Sequence, residues 1–203
     1  MGITERKERE KREMRELILT TATNLFMERG YESVSMRNIA EVMEYSPATI
    51  YLYFKDKNEL LYALSEEGFR RFFKYLQTVN NTEDPLEKLS ALGKAYIQFA
   101  LENTIYYDLM FLMRGPMESD FTKKNWELGM QSHGVLTSAV NQCIKKGYFS
   151  ESDPDKTAFM IWSFVHGVVT FKIRDRMKMY HEDEHEDYIY DALGMFNKML
   201  HCI

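Results

Sequence analysis

The sequence predicts an all-α protein of about nine helices. Apolar residues recur at spacings of three and four in every long segment, and alternating runs of strand type are missing. The four prolines, Pro47, Pro85, Pro116 and Pro154, fall at helix starts or inside a break. Ser46-Pro47, Asp84-Pro85 and Asp153-Pro154 each read as an N-cap followed by proline at the first helical position, where its missing N–H is not needed.

The first helix is read from Thr4 to Arg29. Met14, Ile18, Ala22 and Phe26 fall four apart, with Leu17 and Leu25 beside them, and Gly30 follows as the stop. Ser35 caps a short helix over 36–43. After a turn at Glu44-Tyr45-Ser46, a second short helix runs from Pro47 to Phe54. Asp56 and Glu59 then have the form of a capping box, opening a long helix over about 56–77 that carries Leu60, Leu61, Leu64, Phe72 and Leu76. The polar stretch TVNNTEDP, 78–85, marks the domain boundary. Residues 1–55 form one domain, the long helix connects, and 78–203 form a second. Five further helices are expected over roughly 85–103, 104–114, 119–147, 154–177 and 183–202. They are separated by Asn103-Thr104, Arg114-Gly115-Pro116, the stretch from Gly147 to Asp153 and an acidic run at 181–187.

At 203 residues, with 45% hydrophobic and 28% charged residues, the chain can build a packed core. A net charge of −5 argues against a broad basic field, so any nucleic-acid site must be local. Two cysteines, Cys143 and Cys202, stand far apart with no CxxC spacing, which fits a reducing cytoplasm and neither a disulfide scaffold nor a metal framework. The opening MGITERKEREKREMRE is charged at almost every position and does not read as a secretory segment. The longest apolar run, FMIWSFVHGVVTF, has 13 residues and is too short to span a bilayer. A cytoplasmic protein with no membrane association is expected. No G-x-S-x-G, P-loop or glycine-rich phosphate cradle occurs, so no enzyme and no cofactor are expected.

The stretch SPATIYLYFKDK, 46–57, is the most informative. Two short helices joined by a tight turn form a helix-turn-helix pattern. With Ile50 at the centre of the buried face, Phe54 lies beside it at 100° per residue, while Ala48 and Leu52 point the opposite way. Ile39, Met43, Ile50 and Phe54, together with Leu25 and Phe26, are expected to form a core. Ala48, Thr49, Tyr51 and Tyr53 remain outward. Small leading residues permit close approach to a major groove, and alanine and threonine suit thymine methyls. Tyrosine hydroxyls and Lys57 can reach phosphate oxygens, and the helix N-terminus at Ser46, Pro47 and Ala48 favours anions.

The run SMRNIAEVMEYSPATIYLYFKDKNELLYAL, preceded by a helix ending in LFMERGYESVSMRNIA, resembles the N-terminal DNA-binding domain of the TetR family of transcriptional regulators. The resemblance covers about residues 13 to 65. It implies that Ser35 and Arg37 sit near phosphate at the start of the second helix, with Thr49 and Tyr51 on the recognition helix. Tyr53 would contact phosphate, and Lys57 would open the next helix against the DNA backbone. Ala48 departs from the pattern, since many members carry glycine there. Residues 5 to 16 mix basic and acidic side chains, with i,i+4 pairs such as Glu5–Arg9 and Glu8–Arg12, and read as a solvated helix rather than a basic arm.

The second half is rich in methionine and aromatics. Tyr96, Phe99, Tyr107, Met110, Phe111, Trp126 and Met130 are candidates to line a cavity for an apolar ligand, with His133 as a polar handle. Core packing is the plain alternative for each. The resemblance implies a small-molecule effector in this domain, relayed through the helix at 104–114 to the helix at 56–77. IWSFVHGVVTF, 161–171, is similar to a C-terminal segment of part of the family. Trp162, Val165, Gly167 and Val169 on that helix, with Tyr188, Ala192, Met195, Phe196 and Met199 on the last, would make a four-helix homodimer interface, with burial inside one chain as the plain alternative. One recognition helix reads few bases, so a two-fold pair on a pseudo-palindromic double-stranded operator is expected. A repressor released by its ligand is the resulting reading.

Two rivals stand beside it. One is a helical module that binds a protein partner and holds DNA weakly. The other is a metal-dependent hydrolase at His181-Glu182-His185, because HEDEH satisfies H-E-x-x-H. The acids surrounding it suit a solvated helix N-terminus, and no third ligand follows, so no metal site is expected.

Overall fold

The structure, a computed structural model, describes residues 2–79, 82–113, 127–149 and 152–200. Its helices are α1 (Ile3–Arg29), α2 (Met36–Val42), α3 (Pro47–Tyr51), α4 (Lys57–Gln77), α5 (Pro85–Glu102), α6 (Thr104–Tyr107), α7 (Glu127–Lys145), α8 (Pro154–Ile173) and α9 (His185–Leu200). Among the described residues there is no strand. The break at Arg114-Gly115-Pro116 and the helix start at 119 lie outside the described residues.

The expected caps form. Ser46 Oγ accepts the Thr49 N–H at 3.3 Å, and Asp84 Oδ1 accepts Leu86 and Glu87 N–H at 2.9 and 3.0 Å. Asp153 Oδ1 accepts two N–H groups at 3.0 Å, from Asp155 and Lys156. The backbone donors, Glu87 first for Asp84 and Lys156 first for Asp153, hold both carboxyls below their usual range.

Three element ends differ from expectation, each for a local reason. The helix from Pro47 stops at Tyr51, where Tyr53 and Phe54 N–H both turn to the Ile50 carbonyl. Helix α8 stops at Ile173, short of 177. Asp175 adopts φ 50°, and the Arg176 N–H closes back on the Phe171 carbonyl at 2.8 Å. This is a Schellman ending without its usual glycine, so the sequence carried no stop signal. Helix α6 does not continue as a plain α-helix, because Asp108–Leu112 widen into a π-helical turn.

The chain divides into two compact units. The first comprises Met1–Gly68 and Ile105–Asn125 and the second Phe69–Thr104 and Trp126–Ile203, so α4 contributes to both. In the first unit Ile18, Ala22, Leu25, Phe26, Ile39, Met43, Ile50, Phe54, Leu60 and Leu64 form one buried cluster. Each large apolar side chain so buried contributes about 1.5–3 kcal/mol. Leu17, 44% exposed, falls outside it. Tyr31 closes the cluster edge, its hydroxyl donating to Asn58 Oδ1 and its ring tilted on Phe26 at 5.3 Å. Burial, reinforced by Glu32 and Asp56, pushes that phenol up to about 12.

Gly68 is buried against α6 and its π-helical extension. A Cβ there would meet Met110 Sδ at 2.5 Å. Alanine is worth about 1 kcal/mol over glycine inside a helix, while overpacking costs about 1–3 kcal/mol. Gly68→Ala is therefore expected to be neutral to destabilising, and to become stabilising by about 1 kcal/mol in a Met110→Ala background. A double-mutant cycle in urea checks the reversal of sign.

In the second unit α5 packs on α7, α8 and α9, α7 packs on α8, and α8 on α9. Helix α5 buries Leu89, Leu92, Tyr96, Ile97, Phe99 and Ala100. Phe72, on the part of α4 in this unit, meets Tyr96 and Phe99 with ring centroids 5.4 and 5.0 Å apart.

Candidate nucleic-acid interface

Helices α2 and α3 share a tight turn whose geometry the backbone sets. Glu44 adopts φ 58°, and the Tyr45 N–H returns to the Ala40 carbonyl at 2.9 Å, ending α2. Ser46 then caps α3. Ile50 of α3 and Phe54 just beyond it are buried, at 0% and 2% exposure, and Tyr53 packs partly buried against the same cluster. The Arg15 guanidinium covers the Phe54 ring at 5.0 Å from its centroid.

The opposite face is left to solvent. Ser46, Pro47 and Ala48 are exposed, Thr49 and Tyr53 are half-buried, and Tyr51 is 53% exposed. Thr49 Oγ1 lies 3.0 Å from Ser46 Oγ, which orients its hydroxyl beside the cap. Ser35 and Arg37 are exposed at the start of α2, where Ser35 Oγ accepts the Asn38 N–H at 3.2 Å. The structure thus brings together Ser35, Arg37, Ser46, Pro47, Ala48, Thr49, Tyr51 and Tyr53 around one short helix pair. Lys57 is the first residue of α4. Its ammonium donates to the Tyr31 carbonyl at 2.8 Å and stands 4.1 Å from the Tyr31 ring centroid. Two residues of the helix pair that the sequence reading did not select are also exposed: Leu52, which caps the end of α3, at 81%, and Val42, at the end of α2, at 53%. For Leu52 the helical angle opposite Ile50 was the signal.

The candidates for a ligand cavity fall in different units. Tyr107, Met110 and Phe111 belong to the first, where Tyr107 is fully buried and its ring meets Phe111 at 5.0 Å. Tyr96, Phe99, Met130 and His133 belong to the second. Trp126 lies outside the described residues. Met130 is 64% exposed, whereas Tyr96 and Phe99 are buried.

Tyr96 organises a polar cluster among aromatic rings. Its hydroxyl accepts the Trp162 indole N–H at 3.2 Å and lies 3.1 Å from His166 Nδ1. His133 meets Trp162 edge-on at 6.5 Å, and its Nδ1 lies 3.4 Å from Thr137 Oγ1. Burial lowers the His166 pKa, favouring the neutral ring. His166 was not selected from sequence, since a histidine within an apolar run carries no signal of its partner on another helix.

Trp162 is half-buried, with its indole N–H held by Tyr96. Val165 and Val169 are buried, at 4% and 0%. Gly167 is half-buried. The apolar side chains α8 presents outward are Phe159, Met160 and Phe171, 62%, 45% and 56% exposed. On α9 the expected stripe is outward: Tyr188, Met195 and Met199 are 44%, 67% and 63% exposed, with Ala192 half-buried. Phe196 stacks on Phe164 of α8 at 4.0 Å.

The HEDEH segment does not build the face that a catalytic zinc needs. Glu182–Glu184 form a 3-10 turn and α9 begins only at His185, so His181 and His185 do not share an α-helical face. His185 is buried, with Lys172 Nζ 3.2 Å from Nδ1 and the Tyr180 carbonyl 3.2 Å from Nε2. Among the described residues no three His, Cys, Asp or Glu side chains gather as a metal would require. Cys143 is buried, which pushes its thiol up to about 11 and leaves it a poor nucleophile; Cys202 lies outside the described residues. No described helix is long and apolar enough to cross a membrane.

Comparison with known proteins adds independent findings. The family model for bacterial regulatory proteins of the tetR family matches residues 18–64, and that for the tetracyclin repressor-like C-terminal domain matches 89–193. The HTH-type transcriptional repressor KstR2 of Mycobacterium tuberculosis is 28% identical over 165 residues, covering 77% of this chain and 78% of that protein. Among solved structures, the transcriptional regulator FadR from Bacillus subtilis, in complex with stearoyl-CoA, aligns with a TM-score of 0.71 at 18% identity, over 91% of this chain and 96% of that one. AibR in complex with isovaleryl coenzyme A and operator DNA aligns with a TM-score of 0.71 at 22% identity, over 89% and 96% of the two chains.

Proposed function

The chain belongs to the TetR family of transcriptional regulators, and on that premise we propose that it represses transcription by binding a pseudo-palindromic operator as a homodimer and releases it on binding a small, largely apolar effector. The observation that carries the DNA-binding part is the division of α3. Ile50 and Phe54 are spent on the core, while Pro47, Ala48, Thr49, Tyr51 and Leu52 remain available to base edges. Ser35, Arg37, Ser46 and Tyr53 supply phosphate contacts beside it. Lys57 uses one of its three N–H donors on Tyr31 and contributes from there.

The outward methionines and aromatics of α8 and α9 support pairing of two copies through a four-helix contact, because an apolar stripe of this kind marks an interaction surface. For the effector, the hydroxyl, indole and imidazole groups at Tyr96, Trp162 and His166, set among aromatic rings, suit a ligand with an apolar body and one polar group. The stearoyl-CoA and isovaleryl-CoA bound by the two similar regulators make acyl-CoA thioesters the first class to test.

Fluorescence-anisotropy titration onto the chain's own upstream intergenic DNA, at several salt concentrations, tests this reading. Binding that is sequence-preferring, falls steeply with salt and is reversed by an acyl-CoA is the expected result. Binding no better than to a random duplex at any salt would reject it.

A further inference from the structure

We propose that the outer turns of α1 add a sequence-independent phosphate contact, made by Lys7 and Lys11, beside the one made by the helix-turn-helix; this rests on the DNA-binding reading above. Residues 3–17 of α1 precede the segment that the family model matches, 18–64. From Ile18 onward one face of the helix is buried, through Ile18, Ala22, Leu25 and Phe26. The same face continues toward the N-terminus as Arg15, Lys11 and Lys7, each four residues from the next and all exposed.

The other charges on this segment are arranged differently. Arg6 and Glu10 pair at 2.7 Å, Arg9 and Glu13 at 3.5 Å, and Glu5 accepts the Gly2 N–H at 2.9 Å. Among the described residues Lys7 and Lys11 make no ion pair. Three cations placed i, i+4 and i+8 repel one another and weaken the helix that carries them. A helix needing only solvation would alternate signs along this row, as it does on its ion-paired side. The row also has a fixed starting point. Arg15 stacks on Phe54, the residue that anchors α3, so the cations run outward from the helix pair that would face DNA. In a chain of net charge −5, a polyanion is the partner such a row fits. The occupant is the phosphate backbone next to the bases that α3 reads.

The experiment compares the full-length chain with its Lys7→Gln/Lys11→Gln variant by anisotropy, on a random-sequence duplex and on the upstream intergenic duplex, across a salt series. Each phosphate contact contributes roughly 0.9 to the slope of log affinity against log salt. The variant is expected to have a slope shallower by about 2 for each bound protomer, about 4 for the homodimer, on both duplexes, with the preference between them unchanged. Arg6→Gln, on the ion-paired side, is expected to leave the slope as it is. Equal circular dichroism spectra confirm that α1 is intact. A salt-sensitive wild type whose slope the double substitution does not change overturns this inference alone, as does an equal loss in Arg6→Gln. A wild type that binds no duplex overturns the DNA-binding reading, and this inference with it.

Discussion

Replacing Thr49 and Tyr51 together with alanine is expected to weaken binding at each operator half-site by roughly 10²- to 10⁴-fold while leaving the protein folded. Each good base-edge contact is worth about 1–3 kcal/mol of discrimination, and a tenfold change in affinity corresponds to about 1.4 kcal/mol. Neither side chain belongs to the buried cluster. The Thr49 N–H stays capped by Ser46 Oγ after substitution, so the helix start survives, and only the hydroxyl contact at 3.0 Å is lost. Anisotropy on the upstream duplex measures the loss, and a thermal melt close to that of the wild type shows that recognition rather than folding was removed. Undiminished sequence preference in this variant would mean that α3 is not the reading element.

The second large effect is on stability. Phe54→Ala is expected to destabilise the first unit by about 3–5 kcal/mol, since deletion of a buried aromatic leaves a cavity as well as losing its transfer free energy. Phe54 is 2% exposed and is roofed by Arg15, so the site has little freedom to collapse. That is a large share of the roughly 5–15 kcal/mol by which a domain is stable. Urea denaturation followed by circular dichroism reads it directly. Phe54→Leu, which keeps most of the volume, should recover most of the loss. DNA binding falls in Phe54→Ala too, but together with the melting transition. That separates it from the Thr49/Tyr51 variant.

Much of the first unit was legible in the sequence because its helices are amphipathic and punctuated. Ser35 and Ser46-Pro47 announce their own starts, and the positions of Ile39, Met43, Ile50 and Phe54 follow from 100° per residue once one of them is placed inside. Lys57 shows where this stops. The carbonyl that holds it belongs to Tyr31, 26 residues away in sequence, and no local pattern announces that partner. Helix α8 fails for another reason. It is apolar almost all round, so periodicity cannot say which side faces inward. Trp162, Val165 and Val169 share one side, and the partner of Trp162 within the chain is Tyr96, 66 residues away. The opposite side bears the exposed Met160 and Phe171. Helix α9 was read more fully because Asp187, Asp191 and Lys198 interrupt its apolar positions, leaving Tyr188, Met195 and Met199 as a recognisable row. The left-handed Asp175 that ends α8 was invisible because glycine is the residue that usually signals such a stop.

The division of labour within α3 has an evolutionary consequence. A segment only five residues long keeps its packing obligations on Ile50, with Phe54 just beyond it, and leaves Ala48, Tyr51 and the capping Leu52 exposed, with Thr49 only half-buried. Substitutions at those four positions fall in the class whose effect on stability is usually within about half a kcal/mol. A duplicated copy of this chain could therefore drift toward a new target site through a series of folded intermediates, none of which must first repair its core.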